Sequence, residues 1–80
     1  MHYLYASKKD GPRRLVATFD SQQQLLAYVR WSVLKELGGQ KAKFEQGSVL
    51  AGYHAWEQSP DPLSDEDAAE VAHNPTPTML

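Results

Sequence analysis

The chain contains no cysteine, which excludes a disulfide framework and any thiolate-ligated zinc site. No apolar run approaches the roughly 18 residues of a membrane-spanning helix. The opening Met1-His2-Tyr3-Leu4 lacks the charged and apolar regions of a secretory signal, so the expectation is a cytoplasmic protein with no membrane partner. Glycine is sparse. Gly11, Gly38-Gly39, Gly47 and Gly52 form no phosphate-cradling pattern. Basic residues are missing altogether after Lys43.

What remains is 80 residues, 41% hydrophobic and 22% charged, with a formal net charge of −2. A chain this short buries only about 60% of its unfolded surface, enough for one modest core. The small net charge conceals a division. Residues 1–43 hold all eight Lys and Arg against Asp10, Asp20 and Glu36, a balance of +5, whereas residues 44–80 hold seven acidic residues and stand at −7. Such asymmetry points to charged partners or to attraction between the halves.

Proline divides the chain again. Pro60, Pro62, Pro75 and Pro77 are four of its five prolines, in a stretch poor in large apolar groups that gains little by ordering unless it docks. The reading is a globular α+β domain over residues 1–57 and an acidic, Pro-rich tail over residues 58–80, flexible or docked. Ser64-Asp65-Glu66-Asp67 opens either a capped helical turn or an acidic docking motif that folds back on the basic half.

Within residues 1–57, His2 to Ala6 and Arg14 to Phe19 alternate in the manner of strands, and Asp10-Gly11 between them makes a hairpin. Asp20 with Gln23, or Ser21 with Gln24, fits a capping box. The helix that follows is expected to run to Gly38-Gly39, where glycine accepts the left-handed C-terminal cap. Residues 40–46 and 49–58 then flank a Gly47-Ser48 turn and read as a second hairpin, although Val49, Tyr53 and Trp56 also share a helical face. The expected order is therefore β-β-α-β-β, a small antiparallel sheet with one helix on one face. Its expected core is Leu4, Leu15, Phe19, Leu25, Leu26, Val29, Val33 and Leu37.

At about 100° per residue, Gln24, Tyr28, Trp31 and Lys35 fall on the side of the helix away from its apolar face. Aromatic residues anchor protein interfaces, so Tyr28, Trp31 and Lys35 are the candidate protein-binding residues. The leading reading is a small non-catalytic interaction module that binds another protein, or itself as a homodimer, through this outer stripe or through the open sheet face. The alternative is a weak single-stranded nucleic-acid-binding module. Tyr3 and Tyr5 would stack bases while Lys8, Lys9, Arg13 and Arg14, with Lys41 and Lys43 nearby, meet phosphates. A pI near 5.8 argues against it, since such domains are ordinarily basic.

Catalysis finds no footing. His2, His54 and His73 are far apart, the set His54, Glu57 and Asp61 matches no known ligand spacing, and no serine has histidine and carboxylate in a recognisable order. The expectation is no catalytic residue, no metal and no cofactor.

Overall fold

The structure is a computed structural model that describes residues 1–60 and 71–77. Strand β1 (His2–Ser7), strand β2 (Arg14–Phe19), helix α1 (Gln22–Ser32), strand β3 (Val33–Gly38), strand β4 (Lys41–Phe44), strand β5 (Ala55–Ser59) and strand β6 (Ala72–His73) follow in that order. They form a mixed sheet ordered β3-β4-β5-β1-β2-β6. All described pairings are antiparallel except β2 with β6. The fold is α+β.

The first hairpin forms as expected. Gly11 N–H donates to the Lys8 carbonyl at 2.9 Å, and Asp10 takes the left-handed conformation with φ 61°, which Asp tolerates better than most residues. Leu4 pairs with Ala17 but Tyr5 pairs with Leu15, so Val16 is an extra residue in β2. The bulge lets neighbouring Val16 and Ala17 both join the core.

The Ser21–Gln24 capping box is the one used. The Gln24 N–H donates to Ser21 Oγ at 3.2 Å, and the Ser21 N–H donates to Gln24 Oε1 at 3.1 Å. The helix, however, ends at Ser32 rather than at the glycines. Val33 is already extended, at φ −81° and ψ 116°, and β3 pairs back onto β4. Gly38 and Gly39, at φ 110° and 58°, turn this hairpin instead of capping a helix. Leu34 and Leu37 are skipped in the β3–β4 register, and both are exposed, Leu34 by 61% and Leu37 by 47%. Their three-residue spacing suits a helix, but two bulges produce the same spacing in a strand. Leu37 is therefore not a core residue.

Four reversals of direction separate β2 from β3, so these two strands run parallel and α1 carries the chain across one face of the sheet to its far edge. The core lies under that crossing. Leu4, Ala6, Ala17, Phe19, Leu25, Tyr28, Val29, Ala42, Phe44 and Leu50 are buried there, with Leu26, Val33 and Trp56 packed against them. Leu15 is half-buried and stands outside this cluster.

The second expected hairpin exists in shortened form. Residues 45–54 are successive turns, neither strand nor helix, and β5 begins only at Ala55. Leu50 explains why. It is fully buried, and drawing it inward folds the segment against the end of α1. A buried polar chain holds it there: Ser48 Oγ donates to Ser32 Oγ at 2.7 Å, Ser32 Oγ donates to the Tyr28 carbonyl at 2.8 Å, and the Leu50 N–H donates to Ser48 Oγ at 3.0 Å.

Part of the Pro-rich stretch returns to the domain. Ala72 and His73 pair in parallel with Ala17 and Thr18. Asn74 donates from Nδ2 to Asp20 Oδ2 at 2.9 Å and accepts the Asp20 N–H at 3.0 Å. These contacts are polar rather than acid-on-base. The acidic stretch 64–70 lies outside the described residues.

Candidate functional site

A helix is about 10 Å wide, whereas six strands at about 4.8 Å spacing span roughly 24 Å. One diagonal helix cannot cover such a face. The uncovered corner is a groove of about 490 Å³ between α1 and the β3–β4 hairpin. Leu26 and Val29 form its helix side, Val33 at the start of β3 closes the end of that side, Ala42 and Trp56 lie on its strand side, and the exposed Leu34 also lines it. Arg30 and the β3–β4 residues Lys35, Glu36 and Lys41 also border it. Strand register puts Glu36, opposite buried Ala42, on the face that α1 crosses, and Lys35, opposite Lys43, and Lys41, opposite Ala55, on the other face. An apolar surface with a few charged groups has the composition of a binding site, and its volume is in the usual range.

The Trp56 position follows from strand register. Trp56 pairs with Ala6, a core residue on the face that α1 crosses, so its ring lies on that face. Leu26 and Arg30 are one helical turn apart and so project on the same side of α1. Lys35 pairs with Lys43 across the hairpin. Like charges directly opposite are unfavourable in a sheet, and an acidic neighbour would relieve them.

The outer stripe expected on the helix does not exist as a surface. Tyr28 is only 3% exposed. Its ring lies 5.7 Å from that of Phe19 and 5.3 Å from that of Trp31, and its hydroxyl accepts the Val49 N–H at 3.0 Å. The residue is a core bracket that ties the 45–54 loop to the helix, because filling the space beside Phe19 gains more than exposing an aromatic ring. Trp31 is half-buried against it. Lys35 is exposed on β3, not on the helix, and its pairing with Lys43 puts it on the sheet face away from α1, at the border of the groove.

The residues of the nucleic-acid alternative do not assemble into one surface. Tyr3 and Tyr5 share the face of β1 opposite α1, but Tyr5 is 1% exposed, so no base can reach its ring. The Arg13 guanidinium lies 5.6 Å from the Tyr5 ring centroid and pairs with Glu57 at 3.2 Å. Arg14 pairs with Ala6, on the opposite side of the strand, and lines a separate hollow with Lys8, Gly11, Pro12 and Tyr53. Lys9 is exposed in the turn.

Among the described residues, no group of three His, Asp or Glu could hold a metal ion, and Asp61 of the set His54, Glu57 and Asp61 lies outside them. His73 sits at the β2–β6 edge, its Nδ1 2.8 Å from Thr18 Oγ1 and its Nε2 3.7 Å from Asp20 Oδ1. The hydroxyl, imidazole and carboxylate are exposed there, and their contacts fasten β6 to the end of β2. No helix among the described residues is long and apolar enough to cross a membrane.

Sequence reasoning missed Leu26, Leu34, Ala42 and Trp56 as groove residues. One signal was available: Gly38-Gly39 between Val33-Leu34 and Lys41-Ala42-Lys43-Phe44 is a hairpin pattern as much as a helix stop. Read that way, Leu37 leaves the core and Leu34 leaves the apolar face of the helix. Comparison with known family models, with curated proteins and with solved structures finds no match to this chain.

Proposed function

We propose that this chain is a non-catalytic protein-interaction module whose partner seats in the groove between α1 and the β3–β4 hairpin. Leu34 carries the reading. It is a leucine left 61% exposed in the lining of a groove that also presents Leu26, Val29 and Trp56. Contiguous apolar surface left uncovered marks an interaction site on a small domain, and covering it gains about 25 cal/mol per Å². Tryptophan is enriched among the residues that dominate binding energy. The groove lining offers one carboxylate, Glu36, with no histidine, serine or tyrosine beside it, which supports binding over chemistry. Tyr28 supports the site from within the core.

Leu34→Asp tests the reading. The side chain is exposed, so the fold should tolerate the change. A tagged native chain in extract of its own cells should retain a protein that the Leu34→Asp chain does not. Equal retention by both, or by neither, overturns the proposal. Sedimentation of the purified chain separates the two kinds of partner: a dimer mass lost in Leu34→Asp assigns the groove to self-association.

A further inference from the structure

We infer that the hollow between the β1–β2 turn and the 45–54 loop binds the phosphoryl group of a phosphate monoester. The hollow shares no described lining residue with the groove, so the two sites stand independently. Among the described residues it is lined by Lys8, Gly11, Pro12 and Arg14 from the hairpin and by Tyr53 from the loop. Strand register places it. Arg14 pairs with Ala6, which is buried on the face that α1 crosses, so Arg14 stands on that face at the outer end of the hairpin. The His54 N–H donates to the Ser7 carbonyl at 2.8 Å, which ties the end of the loop to the end of β1 and sets it alongside Lys8. The Gly11 N–H bond to the Lys8 carbonyl at 2.9 Å and the fixed φ of Pro12 hold the hairpin wall.

Size and charge select the ligand. At about 120 Å³ the hollow is well below the roughly 300 Å³ of a pocket for a drug-sized molecule, so it takes one small group. Lys8 and Arg14 are exposed, and neither makes an ion pair among the described residues, whereas the adjacent Arg13 is taken by Glu57. No carboxylate is among the described lining residues. Two cations at one hollow repel each other, and a dianion balances both where a carboxylate balances one. A phosphate monoester carries about −1.5 to −2 charges at neutral pH and three acceptor oxygens. The planar fork of Arg14 matches two of those oxygens, and the Lys8 ammonium supplies a point charge. Tyr53, its ring packed against the core, offers a hydroxyl as a further donor.

The test is an NMR titration of the ¹⁵N-labelled native chain at low salt, where exposed charges are least screened. The probes are a capped Ala-phosphoserine-Ala peptide, the same peptide without phosphate, and inorganic phosphate. The phosphopeptide should shift the amide signals of Gly11, Arg14 and Tyr53 to saturation, and the unphosphorylated peptide should leave them in place. The ratio of the phosphopeptide and inorganic phosphate affinities then tells a protein-borne phosphoryl group from a free one. Arg14→Gln should weaken phosphopeptide binding at least about tenfold, the loss expected for a hydrogen bond between charged groups. Lys43→Gln, on the other face of the sheet, should change it less than about twofold. Absence of saturable shifts at Gly11, Arg14 and Tyr53 overturns the inference. Equal weakening by Arg14→Gln and Lys43→Gln also overturns it, because attraction to positive charge anywhere on the surface would then account for the binding. Both side chains are exposed, so the fold should tolerate either change, and the titration of the native chain requires no variant.

Discussion

Removing one oxygen from Tyr28 separates a core role from a surface role. In Tyr28→Phe the ring keeps its place 5.7 Å from Phe19 and 5.3 Å from Trp31. Only the hydroxyl that accepts the Val49 N–H at 3.0 Å is lost. The net value of such a hydrogen bond is about 1 kcal/mol, and leaving a donor partly buried without an acceptor adds to it. The expected cost is about 1–2 kcal/mol. It is read by urea denaturation as a lower midpoint with an unchanged slope, or as a fall in Tm of roughly 5–15 °C for a domain of this size. Amide exchange should quicken first in the 45–54 loop, because Val49 is where the loop is tied to the helix. A tyrosine on an exposed interface stripe would behave differently, its loss of hydroxyl changing stability by less than about 0.5 kcal/mol. A Tyr28→Phe chain with native midpoint and native loop exchange would refute the placement of this residue as a bracket between helix and loop.

The other predictions concern the two left-handed positions that shape the ends of the sheet. Gly39→Ala should cost about 1 kcal/mol in a thermal melt: a Cβ there meets nothing within 4 Å, so the penalty is that of holding φ 58° with a side chain. A loss well above that would mean the turn is crowded. Asn74→Ala, at φ 48°, should remove both side-chain bonds to Asp20 and speed amide exchange at Ala72 and His73 while barely moving the global midpoint. Unchanged exchange there would mean that β6 is held by something other than this polar clasp.

Several elements were legible in the sequence because their determinants are local. The first hairpin follows from alternation on either side of Asp10-Gly11, and the helix start from Ser21 and Gln24, whose side chains reach only three residues along the chain. Leu4, Phe19, Leu25 and Val29 are identifiable as core from periodicity. Charge asymmetry is likewise a property of the chain alone, and part of it appears in the structure as Lys35 and Lys43 set opposite one another across the β3–β4 hairpin.

The misread elements were decided at long range. Whether Val33 to Gly38 continues the helix or turns into a strand depends on Lys41 to Phe44 lying alongside to pair with it, and leucines three apart satisfy a helix and a doubly bulged strand equally. Whether residues 49–53 are strand depends on Leu50 finding space under the end of α1, which exists only once the sheet has formed. Tyr28 sits outside the main apolar stripe on a helical projection, yet Phe19 from β2 and Val49 from the loop enclose it. The groove is not a property of any one segment. It arises because one 11-residue helix crosses a sheet wider than itself, and only the tertiary arrangement of α1, β3, β4 and Trp56 brings its apolar residues together.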